Sequence, residues 1–175
     1  MVHTVTDGPG IEHTDGTIDP DVRTLLADAG QAFAQDSIVV LPERVQDGVG
    51  FYNDEQVATV KELRAAGVAA SYLQTDPKKR TYASEYSAGF VYDMAIAVLG
   101  NLTYDTAVAT VRYLLAKASL GNASAHDPVR MSLSIARLSR DGLEVEGLHM
   151  DGIPDELGDP LLKYLMGSSD PTTGA

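Results

Sequence analysis

The sequence predicts a single α/β or α+β domain: a small mixed sheet, built from a β-α-β unit and a C-terminal β-hairpin, packed on an Ala-rich helical pair. Three observations lead there. A strand, helix, strand order runs across residues 38–73, the unit that makes two parallel strands joined by a crossover. Two apolar-patterned runs, Val129 to Leu138 and Leu143 to Met150, flank a turn at Arg140-Asp141-Gly142. Between these units lies an Ala-rich stretch, Tyr82 to Ala118, in which one phrase occurs twice: Tyr92-Asp93-Met94-Ala95-Ile96-Ala97 and Tyr104-Asp105-Thr106-Ala107-Val108-Ala109. At 175 residues the chain can fill one core well and is short for two.

Residues 1–18 carry Gly, Thr, Asp and His with little apolar periodicity, and 167–175 read the same way. Both are expected to be flexible segments around a globular domain of residues 19–166. Order is expected to begin at Asp19-Pro20, an N-cap followed by proline at the first helical position, with Val22, Leu25, Leu26, Ala29 and Phe33 on one face. Ser37 to Leu41 is a continuous apolar run closed by Pro42, the pattern of a strand covered on both sides, and Val49 to Tyr52 suits a second short strand. Asn53 with Gln56 three residues on makes a capping box for a helix whose inward line is Val57, Val60 and Leu63, stopped by Gly67. Val68 to Leu73 follows as a strand.

The two Tyr-Asp phrases are offset by twelve residues, which leaves them roughly 120° apart on an ideal helix. Gly100-Asn101 between them suits a kink or a helix end with a fresh start, so two helices or one bent helix are expected. In the second, Tyr104, Ala107, Val108, Val111, Leu114, Leu115 and Ala118 form one buried stripe. The first is apolar around most of its circumference. For the hairpin, a three-residue loop with a left-handed Gly142 opposes Arg137 to Val145, Ile135 to Gly147 and Leu133 to His149. That register puts Met131, Leu133, Ile135, Leu143 and Val145 on one core face, with His149 among them. A last helix, Pro154 to Met166, directs Leu157, Leu161, Leu162 and Leu165 onto the sheet.

Composition narrows function. With 25 acidic against 13 basic residues, the formal charge of −12 repels a phosphate backbone, so neither nucleic acid nor an anionic membrane is an expected partner. The apolar run between Gly89 and Gly100 is about half of the ~20 residues a bilayer needs, and Asp93 interrupts it. The first residues lack a basic stretch followed by an apolar core, and the chain has no cysteine; a cytoplasmic location without disulfides or thiol catalysis is expected.

Several groups could carry chemistry. Lys78-Lys79-Arg80, the only basic run, follows a predicted strand, and ligands collect beside the carboxyl ends of strands in open α/β sheets. A phosphate-bearing ligand could be held there with Asn53 and Asp54 as neighbours. His126, Asp127, His149 and Asp151 are zinc-type donors, but their spacing forms no His-x-x-x-His unit and no metal site is expected. Ser84, Glu85 and Ser87 read as helix caps. The other reading of that group is a serine nucleophile with Glu85 beside it, and Asp93 or Asp105 would make an acid catalyst if burial raised its pKa, although a structural hydrogen bond is the expected role of both. No cofactor is expected, because no Gly-x-Gly-x-x-Gly, Walker lysine or Gly-x-Ser-x-Gly elbow is present.

Residues 53–73, with Asp54-Glu55 at a helix start and Leu63-Arg64-Ala65-Ala66-Gly67-Val68 leading into a strand, resemble the helix-to-strand cadence of flavodoxin-like and TIR-like domains. The resemblance covers about an eighth of the chain and implies no catalytic residue. The functional expectation is an accessory or regulatory subunit acting by protein–protein contact, with a protein partner or self-association through the apolar helices. The alternative is a small-molecule or nucleotide-binding enzyme domain with a phosphate site at Lys78 to Arg80.

Overall fold

A computed structural model describes residues 5–6, 10–15, 18–82, 92–120, 122, 124, 126–139 and 142–167 of the chain. In order these form β1 (Val5–Thr6), β2 (Ile11–Asp15), α1 (Pro20–Ala29), β3 (Ser37–Val40), β4 (Arg44–Gln46), β5 (Val49–Tyr52), α2 (Asp54–Ala65) and β6 (Ala69–Tyr72). There follow β7 (Arg80–Tyr82), β8 (Tyr92–Leu99), α3 (Tyr104–Ala118), β9 (Val129–Ser139), β10 (Gly142–Gly152) and α4 (Pro154–Leu165). A seven-stranded mixed sheet has the order β1-β2-β10-β9-β8-β3-β6, and β4-β5-β7 make a separate three-stranded sheet. The fold class is the α+β arrangement that the sequence predicts, with its β-α-β unit and C-terminal hairpin. Among the described residues no helix is long and apolar enough to cross a membrane.

Local chemistry explains most elements. Asp19 accepts the backbone N–H groups of Asp21 and Val22 with Pro20 in the first turn of α1, and Asn53 and Gln56 close the capping box of α2 in both directions. Strand β3 is buried on both faces, from Ile38 to Val40, and pairs in parallel with β6. A second parallel pair, β8 with β9, is joined through α3. One face of the large sheet, carrying Ile38, Met94, Ile96, Leu133, Ile135 and Leu148, is covered by α2, α3 and α4 through Leu63, Val111, Leu114, Leu157 and Leu161. The other face is covered by the described residues at one end only. There Val39, Ala97, Leu99 and Ala136 meet Val22 and Leu26 of α1.

Residues 92–99 are a strand and not the first of two helices, so the expected helical pair reduces to α3. The continuous apolar character of Ile96 to Leu99 is the mark of a strand flanked by partners and covered on both faces, a pattern that periodicity alone does not separate from a buried helix. Gly100, at φ +69, turns the chain out of this strand, and Thr103 then caps α3 by accepting the Thr106 N–H. Asp36 strengthens that cap from outside the helix, accepting from Thr103 N–H at 2.8 Å and from the hydroxyls of Thr103 and Thr106 at 3.2 Å. The buried line of α3 is Ala107, Thr110, Val111, Leu114 and Leu115, while Tyr104, expected on that stripe, is exposed.

Register corrects the hairpin. Ser139 pairs with Gly142, leaving two residues between the strands instead of three, and Leu133 faces Leu148 while Ala136 faces Val145. Gly142 does have positive φ, +128. Leu143 and Val145 consequently share a face with Ala136 and Leu138, opposite to Met131, Leu133 and Ile135. Both faces are covered near the turn, so apolar alternation does not select one register there. His149, expected on the core face, is exposed.

Two further strands lie within residues 1–18, where the sequence suggests no ordered element. Strand β2 extends the sheet beside β10, with Ile11 opposite Met150 and buried. Strand β5 stands at Val49–Tyr52 as the sequence suggests, whereas β4 and its pairing with β5 in a hairpin are additional. The hairpin's two-residue Asp47-Gly48 turn has positive φ at both positions, +53 and +77, as a type I′ turn requires.

Candidate functional site

The residues singled out by sequence do not meet in one place. Glu85, with Ser84 and Ser87, lies outside the described residues. His126 and Asp127 sit in the connection between α3 and β9, where Asp127 accepts the Ser124 N–H at 3.0 Å. His149 and Asp151 are on β10, and no group of three or more His, Cys, Asp or Glu residues that could hold a metal occurs among the described residues. Asp93 and Asp105 are both exposed, one near the start of β8 and one in the first turn of α3. Neither is a carboxylate enclosed by apolar helix.

The basic run and Asn53 lie at opposite ends of the small sheet. Gly50 pairs with Arg80 and Tyr52 with Tyr82, so Lys78 and Lys79 precede the ladder and Asn53 follows it. Asn53 is occupied by its capping box and by donation to the Glu43 carboxylate at 2.7 Å, while Asp54 is exposed at the helix start. Arg80 turns inward instead. Its guanidinium lies 4.2 Å from the centre of the Tyr72 ring, and Nη1 donates to the Gln74 carbonyl at 3.4 Å. Tyr72 in turn packs edge-on against Tyr52, with ring centres 5.1 Å apart.

This junction between the two sheets is the most chemically specific cluster among the described residues. The Tyr52 hydroxyl donates to Gln74 Oε1 at 2.5 Å and accepts the Gln74 backbone N–H at 3.4 Å. Burial pushes the Tyr52 hydroxyl well above its ordinary range, with the bonds from Gln74 and Leu73 and the charge of Arg80 pulling partly back, so it stays protonated. Gln74 Nε2 and Arg80 Nε are buried without an acceptor among the described residues, a condition that costs about 1–3 kcal/mol per donor in proteins. Tyr52 and Gln74 carry no signature in sequence, because a residue at a strand end and one 22 positions later become partners only when the two sheets meet. Arg64 of α2 stands nearby and donates through Nε to the Ala70 carbonyl at 2.6 Å.

A second region is the part of the sheet that α1 leaves uncovered. Along three adjacent strands the side chains on that face pass from apolar to small to polar: Leu99, Ala97, Ala95, Asp93 on β8; Leu138, Ala136, Ser134, Ser132, Arg130 on β9; Leu143, Val145, Gly147, His149, Asp151 on β10. Register aligns Asp93, Ser132, His149 and Glu12 as one cross-strand row, of which Asp93, His149 and Glu12 are exposed. Arg130 and Asp151 form the next rung and an exposed ion pair at 3.3 Å. Ser, His and Glu on neighbouring strands have the residue types of a hydrolase triad, but Glu12, Asp93 and His149 are exposed, whereas a substrate site encloses its ligand.

Other polar clusters hold elements together. Arg137 of β9 donates to the Tyr164 and Leu165 carbonyls at the end of α4, and the Tyr164 hydroxyl donates to Glu146. Burial, and then the Glu146 carboxylate, raise the Tyr164 hydroxyl above its usual range. A shallow cleft of about 280 Å³ between α1 and the β4–β5 turn is lined by Asp21, Thr24, Leu25, Asp28, Val45, Asp47 and Gly48. No protein-family model, curated protein or solved structure matches this chain.

Proposed function

We propose that this chain is a binding protein that meets a basic protein partner on the uncovered part of its sheet, as an accessory or regulatory subunit. The observation that supports this reading is the polarity gradient on that face. Three strands change character together, so the exposed end is a surface in its own right and not one stray polar residue. Its side chains are mostly short, which lets a partner approach the sheet closely, and Glu12, Asp93 and Asp151 outnumber Arg130. A surface of that sign on a chain of charge −12 attracts a partner of positive charge. The apolar stripe of α3 is spent inside the chain, which leaves the sheet face as the larger contact area.

The test is a titration of isotope-labelled protein with a lysine-rich peptide at low and at physiological salt, following backbone amide signals. Shifts confined to Glu12, Asp93, Ser132 and His149, and removed by Asp93→Lys with Glu12→Lys, are the expected result. Shifts scattered over the acidic surface, or centred on the helices, sink the proposal.

A further inference from the structure

Two donors at the junction of the sheets, Gln74 Nε2 and Arg80 Nε, are buried and lack an acceptor among the described residues. Turning the Gln74 amide round does not cure this. Tyr52 already accepts the Gln74 backbone N–H, so its own proton needs an acceptor, and Gln74 Oε1 is that acceptor. The amide is therefore held in one orientation. It also packs directly on Gly50, where a Cβ would come within 2.7 Å of Nε2. Gly50 is the cross-strand partner of Arg80, so both orphan donors belong to the same rung of the structure.

Basic residues lead into that rung along the chain. Arg80 is braced on Tyr72 by its ring contact, and Lys78 and Lys79 are exposed on the 3₁₀ turn that leads into β7. Asp76 caps this turn by accepting the Lys78 N–H at 3.0 Å. Donors that lack an acceptor, one of them on a guanidinium, call for a group that only accepts.

We propose that the junction is an oxyanion site in which Arg80 and Gln74 donate to the oxygens of a phosphate group while Lys78 and Lys79 at the rim balance its charge. Gln74 is 6% exposed and Arg80 is only partly buried, so the ligand enters on the Arg80 side as the guanidinium lifts from Tyr72. The site binds and makes no covalent bond. It is separate from the uncovered sheet face, and either proposal can fail without the other.

The experiment is a titration of isotope-labelled protein with inorganic phosphate and with glycerol phosphate, at constant ionic strength against chloride. The Gln74 side-chain amide and Arg80 Nε–H signals are followed. A saturable shift of both signals is expected, weakened about tenfold in Arg80→Gln and in the Lys78→Gln, Lys79→Gln double variant. Lys78 and Lys79 are exposed and Arg80 is half-buried, and unchanged backbone amide signals away from the junction check that each variant keeps the fold. Tighter binding of glycerol phosphate assigns the site to a phosphorylated ligand, and tighter binding of inorganic phosphate assigns it to the free ion. An unmoved Gln74 amide, a shift that does not saturate, or unchanged affinity in Arg80→Gln overturns the proposal.

Discussion

The phrase Tyr-Asp-x-Ala-x-Ala occurs once as a strand and once as a helix. In β8 it begins a buried strand flanked by β9 and β3; in α3 it opens a helix whose one face meets the core. The six residues differ at only two positions, Met94 and Ile96 against Thr106 and Val108. Alanine favours helices and isoleucine and valine favour strands, but these preferences are each a fraction of a kcal/mol and are outweighed by what surrounds the phrase. Before the second copy stand Gly100, able to take φ +69, and Thr103, able to cap. After the first copy Val98 and Leu99 extend a run that only a two-sided cover can bury.

Substitution at the fifth residue of each copy separates the two settings most strongly. Ile96→Ala, in a strand with cover on both faces, is expected to cost about 2–5 kcal/mol, whereas Val108→Ala, half-exposed on α3, changes stability by less than about 1 kcal/mol because alanine is the better helix former. Urea denaturation of the two variants is the measurement. Equal losses would erase the distinction between the copies.

Next in size is the break that separates them. Gly100→Ala puts a Cβ against the Gln35 side chain at a positive φ and should cost about 1–2 kcal/mol. A neutral melt would mean that the end of β8 does not depend on this turn.

The smallest effects belong to the acidic residues. Asp105→Asn removes a charge from the positive end of α3 and should cost about 0.3–1 kcal/mol, while Asp93→Asn, exposed on the sheet, stays within about 0.5 kcal/mol of the parent. Thermal melts at low salt decide the order. A large loss from Asp93→Asn would point to a partner for that carboxylate which the open face does not supply.

Elements announced by their own chemistry were legible in the sequence. Asp19-Pro20, the Asn53 and Gln56 pair and the apolar run of β3 each act locally, and each stands where the sequence places it. The β4–β5 hairpin was also written there, as Asp47-Gly48 between Val45 and Val49, but in strands only three and four residues long. Strand β2 gives little signal, because a five-residue strand reading Ile-Glu-His-Thr-Asp buries Ile11 and leaves Glu12 to solvent. Of the candidate sites, the basic run announced Arg80 but not its partners. Tyr52, Tyr72 and Gln74 come from three separate places in the chain, and their meeting depends on how the two sheets abut. The cross-strand row likewise depends on a hairpin register that two covered faces leave open to more than one reading.

The pairing of β2 with β10 has a kinetic consequence. Ile11 meets Met150, so this ladder closes a loop of about 140 residues, whereas the β9–β10 ladder closes around a tight turn. Loop-closure entropy rises with the logarithm of loop length, and the longer closure gains nothing until β10 already lies beside β9. During synthesis Ile11 therefore emerges long before the strand it pairs with. Amide exchange should find the β2 rungs opening at lower free energy than those of β8 and β9, with β2 joining the sheet after them and leaving it before them.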